Sequence, residues 1–240
     1  MDQHLYSEAE LAQAPALALN LSRGCGNPTG FAAIQSGEVV ADFGCGAGLD
    51  VILAARKVGP RGRVIGLDFA PEMVARAKEA IAAVHLSGGD IELCVADLAS
   101  TGLPDGGVDV IISNCVINLI PDKTAVYREA FRILKPGGRA AISDIVLTGK
   151  IDAALKERFQ ATWPGCLGGA IPEDEYLNLI REAGFAGLQI VARHLLTPVE
   201  LAAMACCPGK EFTPPPAPED LGAVQGKVAS IKFRALKPLA

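Results

Sequence analysis

Asp42-Phe43-Gly44-Cys45-Gly46-Ala47-Gly48 is the stretch that decides the fold. Val39-Val40-Ala41 runs into it as a short apolar strand, and a helical stretch from Asp50 to Val58 follows it. Its glycines therefore sit where a strand turns into a helix. Glycine at alternate positions lets the backbone turn sharply and come close to a ligand, beside the first N–H groups of the helix. A dinucleotide-binding fingerprint needs its third glycine at position 49, and that residue is Leu49. A nicotinamide dehydrogenase is thereby set aside.

Outward from this turn the same rhythm repeats. Arg63 to Asp68, Ile91 to Ala96, Val108 to Ser113 and Arg139 to Val146 read as further strands. Between them lie a helix opening at Pro71, with Met73, Val74, Ala77, Ile81 and Val84 on one face, and another from Pro121 to Leu134. The latter is closed by Lys135-Pro136-Gly137-Gly138. Short, continuously apolar strands alternating with helices predict a parallel sheet covered on both faces, a doubly wound α/β fold. Upstream, Ser7 to Glu10 reads as a capping box opening one helix that runs to about Leu21. Downstream, helices are expected from Asp152 to Ala161 and from Glu173 to Gly184. Strands Leu188 to Leu196 and Val228 to Leu236 follow, paired as an antiparallel hairpin without a crossover helix. The Pro-rich piece from Thr213 to Pro218 lies between them. No repeat or linker divides the chain, so one domain is expected over 1–240, with the glycine turn inside a core of 38–146 between flanks 1–37 and 147–240.

The chain has 240 residues, a net charge of −5 and a pI near 5.3, with half its residues hydrophobic. This is too apolar for disorder and too acidic for a protein that grips nucleic acid backbone. No run approaches a membrane span, and the start, Met1-Asp2-Gln3-His4, lacks a signal's apolar region. Seven cysteines, an odd and modest number, then predict a cytoplasmic chain whose thiols are reduced.

Two acidic strand ends accompany the glycine turn. Asp68 can accept two ribose hydroxyls, and Asp97 stands where a base would lie. The plain alternative for Asp68 is an N-cap of the next helix. The glycine turn, Asp68, the Asp97-Leu98 step and the Leu134-Lys135-Pro136-Gly137-Gly138 turn together resemble the class I methyltransferases. That resemblance implies S-adenosyl-L-methionine as cofactor and a seven-stranded, mostly parallel Rossmann-like sheet whose last strand is antiparallel. It also implies a cofactor site from Asp42, Gly44, Gly46, Gly48, Asp68, Phe69, Asp97, Leu98 and Asn114.

Ligands of open α/β sheets bind beyond the carboxyl ends of the strands. Cys115 ends the fourth strand on that rim, Cys25 precedes the first and Cys166 follows the fifth. Three thiolates at one point suit a soft, thiophilic centre and do not make a usual complete zinc set. The bland alternative is that each packs as a small hydrophobe, as is expected of mid-strand Cys94; Cys45 is a spacer, and Cys206-Cys207 stays ambiguous. Gly24-Cys25-Gly26-Asn27-Pro28, Ser113-Asn114-Cys115-Val116-Ile117-Asn118-Leu119, Gly165-Cys166-Leu167-Gly168-Gly169-Ala170 and Ser143-Asp144-Ile145-Val146 resemble the arsenite methyltransferases over roughly residues 6 to 236. The resemblance implies that Cys25, Cys115 and Cys166 hold trivalent arsenic as a pyramidal trithiolate and present its lone pair to the methyl group. It implies arsenite or its thiol conjugates as substrate, and a small thiol or thioredoxin-type reductant as partner. Trivalent arsenic needs no general base, and the substrate region offers no convincing one. Two rivals remain open: a class I methyltransferase acting on a small organic molecule, and a non-catalytic metalloid-binding protein.

Overall fold

A computed structural model of the chain describes residues 5–86, 89–162, 166–205 and 218–239. The predicted Cys206-Cys207 pair, the prolines at 214–216 and Trp163-Pro164-Gly165 lie outside the described residues.

Seven strands form one sheet: β1 (Val39–Phe43), β2 (Arg63–Asp68), β3 (Asp90–Val95), β4 (Val108–Asn114), β5 (Leu134–Leu147), β6 (Ala186–Leu195) and β7 (Val228–Leu236). Their order is β3-β2-β1-β4-β5-β7-β6. The first five are parallel, and β7 lies antiparallel between β5 and β6. Chain direction on the sheet reverses its winding between β1 and β4, so their carboxyl ends flank a crevice where ligands of such sheets lie.

Ten helices are described in chain order: α1 (Glu8–Leu11), α2 (Ala16–Leu21), α3 (Pro28–Phe31), α4 (Leu49–Val58), α5 (Pro71–Ala82), α6 (Lys123–Ile133), α7 (Ala153–Thr162), α8 (Glu173–Glu182), α9 (Pro198–Ala205) and α10 (Pro218–Val224). Ser7 and Glu10 form the expected capping box on α1. The single helix expected from Ser7 to Leu21 is two, because the Pro15 ring lacks an N–H and clashes with the preceding turn. The helix expected from Pro121 starts at Lys123, where the Asp122 side chain caps it through the Ala125 N–H. Strand β5 begins at Leu134 rather than Arg139, since the Lys-Pro-Gly-Gly segment pairs irregularly beside Val108. The hairpin of β6 and β7 is antiparallel as expected, but α9 and α10 stand in its connection.

Helix α4 shows how the site's floor is built. Val51, Ala54, Ala55 and Val58 pack on the sheet. Leu49, Ile52 and Leu53 pack outward against Tyr6 and Ala18 of the N-terminal segment. A helix with apolar residues on two faces must be covered on both, and the N-terminal segment supplies the second cover. No helix among the described residues is long and apolar enough to cross a membrane.

Candidate active site

A cavity of about 680 Å3 opens at the carboxyl ends of β1, β2 and β4. The glycine turn forms one wall, with positive φ at Gly44, Gly46 and Gly48. Four of its N–H groups are spent within the protein. Those of Gly44 and Cys45 donate to the Leu67 carbonyl, that of Gly48 to Cys45, and that of Gly46 to Asp68 Oδ2 at 2.9 Å. What the wall offers instead is carboxylate: Asp42, Asp50 and Asp68 all line the cavity and all are buried. Asp42 Oδ2 is buried with no hydrogen-bond partner. Burial and the neighbouring Asp50 and Asp68 charges push the Asp42 carboxyl well above the usual range. Burial likewise raises Asp50 to about 6, against the hydrogen bonds it accepts from Asn114 and Tyr6. Such a wall is built for a cationic ligand, whose charge relieves the crowding.

The Cys25 loop lines the same cavity, and Asn114 ties it to Asp50 of that wall. Asn114 Oδ1 accepts the N–H groups of Cys25 and Gly26 at 3.0 and 3.1 Å. Its Nδ2 donates to the Gly26 carbonyl, the Tyr6 hydroxyl and Asp50 Oδ2 at 2.8–3.1 Å. The flanking glycines follow from this closeness. A Cβ on Gly24 would lie 2.2 Å from Asn114 Nδ2, and one on Gly26 would lie 2.1 Å from Ser143 Oγ. Cys115, next in sequence to the clamp, has φ +62, a left-handed conformation costing a non-glycine residue on the order of 1–3 kcal/mol. Its N–H donates to the Ser143 carbonyl. The clamp brings Cys25 and Cys115 within 6.0 Å between Cα atoms, and they are joined as a disulfide. The expectation that the thiols are reduced is corrected for this pair, which the clamp on the Cys25 loop brings together; Cys45 and Cys94 are in no disulfide.

Cys166 completes the group. Its Sγ donates to the Cys115 carbonyl at 2.7 Å. The loop carrying it lies so close to the turn at 117–119 that a Cβ on Gly169 would meet the Asn118 carbonyl oxygen at 1.8 Å. Asn118 in turn donates from Nδ2 to Asp144 Oδ1 and the Ile145 carbonyl. Tyr176 donates to Asp144 Oδ2 and accepts from Tyr127, each at 2.8 Å. Asp144 is fully buried, and burial raises its carboxyl from 3.8 to about 6. The fold thus favours the protonated form. Its contribution to stability is complete below about pH 4 and is lost as the pH rises through about 6, a change of about 3 kcal/mol. Urea unfolding across that window is expected to show stability falling as pH rises. Asp144→Asn is expected to flatten this component, and an unchanged slope in that variant would contradict the assignment.

Of the residues expected at the site, Asp42, Gly44, Gly46, Asp68, Phe69, Asn114, Cys25, Cys115 and Cys166 line one cavity. Asp68 lines the wall and spends both oxygens on backbone, on Gly46 and on Ala70; it is not the N-cap of α5, a position that Ala70 takes without a side-chain cap. Gly48 faces Ala77 of α5 and serves helix packing. Leu98 is core, while Asp97 is exposed and accepts the Ala99 N–H; neither lines the cavity. Cys94 packs against the core as expected, and Cys45 is buried, its thiol pushed up by burial and the Asp42 and Asp68 charges. Three participants were not anticipated: Tyr6, Asp50, and His194, whose Nε2 lies 2.8 Å from Glu200 Oε1 at the cavity edge. Tyr6 and Asp50 carry no local motif; only their distance in sequence from Asn114 hid them.

Residues 34–184, more than half of the chain, match the model of a methyltransferase domain. The chain belongs to the methyltransferase-domain family. Within it, this methyltransferase domain is 42% identical over 175 residues to an arsenite methyltransferase of Halobacterium salinarum, covering 72% of the chain and 44% of that protein. It is 39% identical over 168 residues to an arsenite methyltransferase of Aquipseudomonas alcaligenes, covering 66% of the chain and 47% of that protein. The chain therefore spans less than half the length of these two curated relatives. The solved structure of an arsenic(III) S-adenosylmethionine methyltransferase from Chlamydomonas reinhardtii superposes with a TM-score of 0.80 at 29% identity, over 96% of this chain and 73% of that one.

Proposed function

We propose that this methyltransferase domain transfers a methyl group from S-adenosyl-L-methionine to trivalent arsenic held by Cys25, Cys115 and Cys166. The observation that carries the reading is the meeting of these three cysteines, remote in sequence, on a cavity that buried carboxylates also line. The residues fit the cofactor on their own chemistry. Asp42 has a buried oxygen without a partner, suited to an ammonium or sulfonium charge. A Cβ on Gly46 would meet only Met73 Cε, at 3.8 Å, so the wall is open there for close approach. Phe69 is 53% exposed at the cavity, an apolar face that a planar base would cover.

When bound, the sulfonium supplies an activated methyl group. The chain's own work is positioning and exclusion of water. A small thiol or thioredoxin-type reductant first opens the Cys25–Cys115 disulfide, giving up two electrons and leaving two thiols. The three thiols then displace the oxygen or thiol ligands of arsenite, lose their protons to those leaving groups, and fix the arsenic lone pair toward the acidic wall. No base is needed, because arsenic carries no proton at the attacking position. In this reading the whole chain acts as one domain and works in the cytoplasm.

The second reading, transfer to a small organic acceptor, has one observation in its favour: the His194–Glu200 pair at the cavity could take a proton from an oxygen or nitrogen nucleophile. Incubating the reduced protein with S-adenosylmethionine and arsenite, and separating arsenic species by chromatography and mass spectrometry, decides between them. Methylated arsenic is expected. Its absence from a protein that binds the cofactor would end the arsenic reading.

A further inference from the structure

The arsenic site has a neighbour that the transfer of methyl groups does not use. The sulfurs of Cys115 and Cys166 and a carboxylate oxygen of Asp144 all lie within 4.8 Å of one another. Asp144 sits on β5, fully buried, with Asn118, Tyr176 and the Ile145 N–H donating to it. A carboxylate has about four acceptor positions, so one more partner can be taken. Two thiolates and a carboxylate are the donor types that bind borderline-soft divalent cations, at metal–sulfur distances of about 2.3 Å and metal–oxygen distances of about 2.0–2.2 Å. A tetrahedral site with those bonds has edges of roughly 3.5–4 Å.

Charge also distinguishes this group from the trithiolate. Three thiolates neutralise trivalent arsenic. Cys115, Cys166 and Asp144 together carry three negative charges, and Lys123, whose ammonium interacts with both Asp144 and Cys166, returns one. The remainder matches a divalent ion. Asn118 and Tyr176 fix the carboxylate's orientation, as outer partners do in metal sites.

We propose that, once reduced, Cys115, Cys166 and Asp144 form a coordination site for a divalent cation of the zinc or cadmium class, overlapping the arsenite site but independent of Cys25. The proposal rests on the reading of Cys115 and Cys166 as thiols of the substrate site. Binding moves no electrons. The two thiol protons pass to buffer as the two metal–sulfur bonds form, and the carboxylate adds as a third ligand.

The test uses the whole chain, reduced with a phosphine that is oxidised by taking oxygen from water, then freed of it without air. Cadmium ion is titrated in while the thiolate-to-cadmium charge-transfer absorption and proton release are followed; arsenite binding is measured in parallel. Wild type and Cys25→Ser are expected to bind one equivalent with release of about two protons per cadmium. Cys166→Ser and Asp144→Asn are expected to bind at least about tenfold more weakly. Arsenite is expected to compete with cadmium in wild type, to lose its site in Cys25→Ser, and to keep it in Asp144→Asn. Undiminished cadmium binding by a folded Asp144→Asn, or its loss in Cys25→Ser with three protons released by wild type, would overturn the proposal in favour of a sulfur-only set. Should Asp144→Asn fail to fold, the Cys25→Ser titration and the proton count decide alone. Cadmium bound as described by a protein that never binds arsenite would sink the arsenic reading and leave this one standing.

Discussion

Cys115→Ser is expected to lower arsenite methylation by at least about a thousandfold while leaving S-adenosylmethionine binding within a few-fold of wild type. Serine is nearly the same size, so the variant tests chemistry rather than packing. A serine hydroxyl stays protonated at neutral pH and is a hard donor, whereas trivalent arsenic selects the soft thiolate. With one of three bonds gone, arsenic is held by Cys25 and Cys166 alone, and its lone pair is no longer fixed on the axis toward the acidic wall. Misorientation of a reacting atom is among the most damaging changes an in-line displacement can suffer. The cofactor wall keeps its own bonds in this variant: Asp68 accepts the Gly46 and Ala70 N–H groups, and no hydrogen bond joins Asp42, Gly46 or Asp68 to the Cys115 side chain. The same substitution removes the Cys25–Cys115 disulfide, so the variant is also expected to dispense with the reductant's first step. Cofactor titration by calorimetry alongside product analysis checks both halves. Methylation that survives in Cys115→Ser would show that the cysteines only pack, and would move attention to His194 and Glu200.

The sheet was legible because its signals are local. Apolar runs ending in glycine or aspartate fixed β1 and β2 to the residue, the apolar alternation before Lys237-Pro238 fixed β7, and Leu49 in place of a third glycine argued against the dinucleotide alternative. Where the reading slipped, a single residue decided against the pattern: Pro15 split the first helix, and Asp122 moved the start of α6. Helix α9 was missed because its sequence from Pro198 to Ala205 is apolar without a clear face. At the site, the cysteines stood in recognisable words, and the structure explains why the words read as they do. Gly24 and Gly26 are required by Asn114 and Ser143, and Gly169 by the Asn118 carbonyl. Asp97 is read from its place at a strand end and Leu98 from the resemblance, and neither reading constrains where the chain goes after β3; Asp97 accepts the Ala99 N–H there, and neither residue lines the cavity. Tyr6 and Asp50 were invisible because hydrogen bonds across 108 and 64 residues of sequence have no periodic signature.

Those long-range bonds converge on one residue, and Asn114→Ala is expected to destabilise the protein by about 3 kcal/mol and to free the Cys25 loop. Alanine leaves the Cys25 and Gly26 N–H groups without an acceptor and the Gly26 carbonyl without a donor. It also takes a donor from the Tyr6 hydroxyl and from Asp50. Each buried group left unsatisfied costs roughly 1–3 kcal/mol, and water admitted to the cavity recovers part of the total. Cys25 keeps two side-chain ties, from Ser230 Oγ to its carbonyl at 2.9 Å and between its Sγ and Ser143 Oγ at 3.4 Å, and these leave its own N–H and both polar groups of the Gly26 backbone unheld. After reduction, alkylation of Cys25 is therefore expected to speed up at least about tenfold, and arsenite binding to weaken with it. Asn114→Asp discriminates between loss of shape and loss of bonding. It restores an acceptor for the two N–H groups but sets a second oxygen against the Gly26 carbonyl and Asp50, where the amide had donated. Aspartate is thus expected to rescue neither stability nor the slow alkylation, although it matches asparagine in size. A urea midpoint and Cys25 labelling rate equal to wild type in both variants would mean that the loop is held by something other than Asn114. The site's geometry would then have to be explained from the Ser143 and Ser230 side instead.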